Sequence, residues 1–231
     1  MKPKNQMGKS ILLNAVVAAL GLILFGFGVY LTIQADIGAG PWDVLSLGLA
    51  RTLGVKYGTA SVSVSLIILL IDVLLRGKIG IGMFLDAVLV GKAVDLFNWL
   101  GLVPTLDRTI PGIVLLLVGL AIEGFAQYLY MQAALGCGPR DTLLVCLSKR
   151  FSRVPIGAVS ICMLAVATFI GWWLGGPVGL GTILCAFLTG PIMQLEFQLI
   201  KFEAEAVEHQ NIVASIRVIL SRRSGQAGTT D

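Results

Sequence analysis

The stretch A-D-I-G-A-G-P-W-D-V-L at residues 35–45 returns 98 residues further on as A-A-L-G-C-G-P-R-D-T-L at residues 133–143. The register pairs Gly38 with Gly136, Gly40 with Gly138, Pro41 with Pro139, Asp43 with Asp141 and Leu45 with Leu143. It extends backward through Gly26 with Gly124, Tyr30 with Tyr128 and Gln34 with Gln132. At an offset of 99 it resumes with Gly58 and Gly157, Gly80-x-Gly82 and Gly179-x-Gly181, Leu85 and Leu184, and Gly91 and Gly190. Self-similarity of this length is a signal of architecture. Each half reads as an apolar span, a G-x-G-P-x-D turn, a short helix, a second span, a G-x-G turn and a third span.

The turn has a physical logic. Glycine takes positive φ without steric cost, so G-x-G ends one helix and lets backbones approach. Pro41 and Pro139 suit the first position of the next helix, where no N–H is needed. Asp43 and Asp141 then fall in the first helical turn, where a carboxylate favours the positive helix end. One reading is helix capping at a bilayer boundary. The other makes segments 41–54 and 139–151 half-helices whose N-terminal ends face a solute. Irregular backbone at membrane depth is tolerated only when buried in protein or lining water.

Composition places these elements in a membrane. Of the 231 residues, 56% are apolar and 13% charged, with mean hydropathy +0.90. Soluble chains carry about 25% charged residues. Apolar stretches near 11–34, 58–76, 83–103, 110–134, 157–174 and 180–200 approach the roughly 20 residues needed to cross the hydrocarbon. The third is the least apolar, interrupted by Asp86, Lys92 and Asp95. The first run, from Ile11 to Thr32, is too long for a signal-peptide core and reads as a retained span. With six crossings, thirteen Lys and Arg fall on one side and three on the other, a positive-inside bias that puts both termini in the cytoplasm. Each half then holds an odd number of crossings. The expected fold is an all-α membrane protein with about six transmembrane helices, built as two inverted three-helix repeats. Residues 1–10 form a cytoplasmic N-terminus, 11–103 the first repeat, 104–200 the second, and 201–231 a cytoplasmic amphipathic helix with a disordered tail.

The net charge of +4 comes from basic residues flanking apolar runs, so it reads as a topology signal and no nucleic-acid partner is expected. Cys137, Cys146, Cys162 and Cys185 form no C-x-x-C pair, and the one histidine, His209, is far away. The cysteines read as small buried apolar side chains, with neither a metal nor a cofactor expected. No Ser–His–Asp set and no Walker or dinucleotide motif occurs.

Charged residues inside spans are costly and default to functional candidates. Glu123 lies mid-span, with Gln127 and Tyr130 one and two turns on along the same face. Its counterpart in the first half is Phe25, so this carboxylate breaks the repeat. Arg140 likewise replaces Trp42, either as an interface anchor or as an anion contact. Lys92 and Asp95 are spaced to pair on one face. Asp86 reads as reaching the interface, Asp72 and Arg76 as structural at a helix end, and Glu196 and Lys201 as interfacial. The candidate substrate-binding set is Glu123, Gln127, Asp43, Asp141, Arg140, Gly38, Gly40, Gly136 and Gly138.

The A-D-I-G-A-G-P-W-D-V-L stretch, the L-R-G-K-I-G-I-G stretch after it and G-C-G-P-R-D-T-L at 136–143 resemble the YczE/YyaS/YitT family of bacterial membrane proteins. The resemblance covers roughly residues 10–200. It implies a bacterial cytoplasmic-membrane protein and no established substrate. The expected function is a non-enzymatic small-solute transporter or channel, its pathway between the repeats. The alternative is a non-transporting scaffold or solute-binding subunit of a larger complex. An intramembrane lipid-modifying enzyme is a third and weaker option. The expected partners are the lipid bilayer and an unidentified small solute, with a homo-oligomer or a partner membrane protein left open.

Overall fold

In the computed structural model, which describes residues 4–77, 80–106, 108–133 and 138–201, the described residues form eight α-helices and no strand. These are α1 (Lys4–Gln34), α2 (Pro41–Leu53), α3 (Tyr57–Leu74), α4 (Ile81–Leu100), α5 (Thr109–Gln132), α6 (Pro139–Arg150), α7 (Ile156–Trp173) and α8 (Leu180–Ile200). Five of them are long and apolar enough to cross a bilayer: the Leu13–Gln34 part of α1, and α3, α5, α7 and α8. The molecule is therefore a helical membrane protein. α4 has the length, 20 residues, but carries Asp86, Lys92 and Asp95. The sequence expectations for Gly136 and for the tail from 202 onward lie outside the described residues.

The two short helices start where the motif predicts. α2 opens at Pro41 after an N-cap at Gly40, and α6 opens at Pro139 after an N-cap at Gly138. Neither end has a side-chain capping hydrogen bond. Along α2, Pro41, Asp43, Val44, Ser46, Gly48 and Ala50 are buried, so this helix is packed among the longer ones.

The packing is criss-crossed. α1 lies along α5, α1 also meets α4, and α5 meets α8. α2 packs on α7 and α6 on α3. Glycines set these approaches. A methyl at Gly28 would lie 2.8 Å from the Gly119 carbonyl oxygen, and one at Gly119 would lie 2.9 Å from that of Gly28. A methyl at Gly48 would run into the Gly171 carbonyl, so α2 meets α7 backbone to backbone. Contacts this close need small residues on both helices. Gly38 has φ +105°, and a methyl there would meet the backbone of Gly179 at 2.5 Å. The first G-x-G turn is thus seated on the last one, and the Gly181 N–H donates to the Ile37 carbonyl at 2.7 Å.

Polar groups brace the same end. Gln34 donates to Asn98 at 3.1 Å and accepts from Thr105 at 2.7 Å. The Tyr30 hydroxyl donates to the Val103 carbonyl at 2.8 Å and accepts from the Val103 N–H at 2.9 Å. Arg51 and Thr52 at the end of α2 donate to the Gly175 and Leu174 carbonyls.

The structure bears on several sequence readings. Asp95 accepts the Gly58 N–H at 2.8 Å. Its charge is thus spent on the positive end of α3 instead of on Lys92. Asp72 is fully buried with neither oxygen hydrogen-bonded, while Arg76 is exposed with φ +58°. Glu196 is half-buried against Gly124, between α5 and α8. Of the described cysteines only Cys185 is buried, and Cys162 is exposed, because it faces an apolar groove.

Candidate functional site

The N-terminal ends of α2 and α6 approach each other, and their second residues touch. The Arg140 guanidinium carbon lies over the Trp42 ring, 5.4 Å from its centroid. Such a pair is worth about 0.5–2 kcal/mol, more as it is desolvated. Trp42 and Arg140 hold the same place in the two copies of the motif.

Carboxylates gather around this pair. Asp43 is buried and accepts the Tyr57 hydroxyl proton in a 2.8 Å hydrogen bond. Its second oxygen sits 3.0 Å from where a methyl on Gly40 would be, and the Cβ of Cys185 is 3.9 Å from the same point. On the other side, an Asp86 oxygen lies 2.7 Å from where a methyl on Gly138 would be. Asp86 and Cys185 correspond at the 99-residue offset, so each motif glycine is met by the matching residue of the other half. A side chain at either glycine would press on a carboxylate oxygen. Glu123 closes the site from α5: its Cγ is 2.6 Å from where a methyl on Gly28 would be, and the Thr32 hydroxyl is beside its carboxyl. The field of Arg140 reaches Asp43, Asp86 and Glu123.

Of the sequence candidates, Asp43, Arg140, Glu123, Gly40 and Gly138 are therefore brought together. Gly38 stands one step back, fixing the first turn against α8. Gln127 is half-buried one turn from Glu123 on α5, and Asp141 is exposed. Gly136 lies outside the described residues. Asp43 falls in the first turn of α2 as the motif predicts, makes no side-chain capping hydrogen bond there, and accepts from Tyr57 through one carboxylate oxygen. Sequence reasoning missed Tyr57 and Asp86. Tyr57 heads a span and has no counterpart, Ile156 being its match, so no pattern marked it. Asp86 read as a residue near a span end; its correspondence to a buried cysteine was the available signal.

The arrangement gives one guanidinium, at least three carboxylates, a phenol and an indole around two helix N-termini. Among the described residues no group of three or more His, Cys, Asp or Glu side chains is positioned to hold a metal ion.

A family model described as "Family of unknown function (DUF6198)" matches residues 12–197. The chain is 33% identical over 190 residues to the uncharacterized membrane protein YczE of Bacillus subtilis, covering 81% of this chain and 87% of that protein. An uncharacterized protein of Haemophilus influenzae is 29% identical over 203 residues, covering 86% and 92%. The uncharacterized protein YyaS of Bacillus subtilis is 28% identical over 193 residues, covering 79% and 91%. No solved structure matches the chain.

Proposed function

This chain belongs to the family of unknown function DUF6198, and from its geometry we propose that it is a small-solute transporter or channel of the bacterial cytoplasmic membrane, with both termini in the cytoplasm and no enzymatic activity. Six crossings, α4 included, form two inverted repeats, α1–α4 and α5–α8, and the pathway runs between them. The observation that carries this reading is the meeting of Trp42 with Arg140 amid Asp43, Asp86 and Glu123. Corresponding residues touch when a two-fold axis passes between them. Substrate sites in inverted-repeat transporters lie at the repeat interface, near half-helix N-termini.

The packing supports the same reading. If α2 corresponds to α6 and α3 to α7, the α2–α7 contact is the partner of the α6–α3 contact, and α1–α4 is the partner of α5–α8. Three carboxyl groups share one guanidinium, so any that ionise together leave negative charge in excess. The helix N-termini offset part of it, and a cationic or zwitterionic solute, or protons, would balance the rest.

The halves also differ, as alternating access requires. Gly58 lies against Gly91, whereas a methyl at Gly157 or Gly190 would have nothing within 4 Å. The Gly58 N–H is held by Asp95, whereas Gln194, the residue 99 further on, is exposed. Asp43 is buried and Asp141 exposed. One half is closed and the other open, and exchanging the two arrangements would move access across the membrane.

The experiment is a thermal-stability screen of purified protein against metabolites and ions, beside Glu123→Gln and Arg140→Ala. A ligand of the native state raises stability with concentration, by about 2.7 kcal/mol at 100 times Kd. A solute that stabilises the parent protein but neither variant supports the proposal. Stabilisation shared equally by both folded variants contradicts it.

A further inference from the structure

α3 and α7 face each other across a groove of about 790 Å³, roofed by α2 and α6 and lined by apolar side chains. This falls in the range of about 300–1,000 Å³ of ligand-binding pockets. Ile67, Ile71, Val166 and Ile170 on its flanks are exposed, so the groove opens sideways toward lipid. Between Ala158 and Ile170, α7 lines it for about 18 Å at 1.5 Å per residue, more than the ~15 Å depth of one leaflet of a ~30 Å core.

One end of the groove is bounded by a segment rich in basic residues. Phe151 and Val154 line that end and sit in the connection from α6 to α7, which must lie at a membrane surface because α7 is a span. Lys149, Arg150 and Arg153 alternate with them, and all three are exposed. An apolar slot of acyl-chain length thus opens beside three cations at headgroup level. A basic pocket between transmembrane helices is an anionic-headgroup site.

We propose that the α3–α7 groove binds an anionic phospholipid, one acyl chain lying in the slot and the phosphate held by Lys149, Arg150 and Arg153. The charge at the mouth selects this occupant over a zwitterionic lipid or a second copy of the chain, neither of which brings net negative charge to that end. The site is separate from the carboxylate cluster and does not depend on transport. It meets the cluster only at Trp42, which both lines the groove and carries Arg140.

Native mass spectrometry of the detergent-purified chain with added phosphatidylglycerol or phosphatidylcholine of identical acyl chains tests this. The unsubstituted chain should retain phosphatidylglycerol on the order of tenfold or more over phosphatidylcholine, given the contribution of each basic residue near a surface. The triple variant Lys149→Ala, Arg150→Ala, Arg153→Ala should lose that preference. Ala158→Phe, at an exposed position filling the slot, should lose phosphatidylglycerol itself. The lipid comparison on the unsubstituted chain needs no variant, and equal retention there overturns the proposal. So does full retention by a folded Ala158→Phe, which would mean headgroup adsorption alone. A dimer that Ala158→Phe dissociates would assign the groove to a second copy and also overturn it.

Discussion

Gly58 and Gly157 hold the same place in the two halves, yet a methyl group should affect them in opposite ways. At Gly58 it would run into the Gly91 carbonyl oxygen and the Asp95 carboxylate. Overpacking of this kind costs about 1–3 kcal/mol, and the helix-propensity gain of Ala over Gly returns only about 0.5–1. Gly58→Ala should therefore lose about 1–2 kcal/mol. At Gly157 nothing lies within 4 Å, so Gly157→Ala should keep the propensity gain of about 0.5–1 kcal/mol. The contrast is about 2 kcal/mol, or roughly 4–8 °C in thermal midpoint for a chain of this size. The assay is a thermal melt of both variants in the same detergent. Amide exchange in the first turn of α3 should rise for Gly58→Ala only, since Asp95 loses its hold there. In the exchanged conformation Gly157 would meet Gly190 as Gly58 now meets Gly91, so Gly157→Ala should also slow solute movement without loss of stability. Equal midpoint shifts for the two variants, or a Gly58→Ala protein as stable as the parent, would refute the reasoning.

Two further outcomes are expected. Tyr57→Phe removes the hydrogen bond to Asp43 and leaves its buried carboxylate short of a donor, so a melt should record a loss of about 1.5–3 kcal/mol; an unchanged midpoint would mean that another donor replaces the phenol. Asp72→Leu removes two buried oxygens that have no hydrogen-bond partner and should raise stability by about 1–3 kcal/mol, whereas a lowered midpoint would show that the carboxylate is held.

Much of this architecture was legible because the chain repeats itself. Gly40-Pro41 and Gly138-Pro139 marked the starts of α2 and α6 to the residue, since a proline after glycine leaves few other conformations. The apolar runs marked the longer helices for the same reason that they cross a bilayer. Part of the site was legible where the repeat holds, at Gly40, Asp43 and Gly138, and part where it breaks. Glu123 and Arg140 stood out as charges at positions occupied by Phe25 and Trp42 in the other half. Tyr57 and Asp86 did not, because their roles depend on which helices cross, and that is decided by glycine contacts such as Gly48 with Gly171, distant in sequence. The difference between the closed Gly58–Gly91 contact and the open Gly157 and Gly190 was likewise invisible. Both pairs are glycines, so the pattern alone did not show which pair is in contact.

The central claim is that a solute moves through the cluster around Glu123 and Arg140. The most direct measurement is uptake into proteoliposomes of whichever solute raises the thermal midpoint of the parent protein, compared with Glu123→Gln at matched protein incorporation. The account predicts uptake by the parent chain and at least a tenfold loss in the folded variant. Equal uptake by Glu123→Gln, or a solute that binds at the cluster and never crosses, would contradict it.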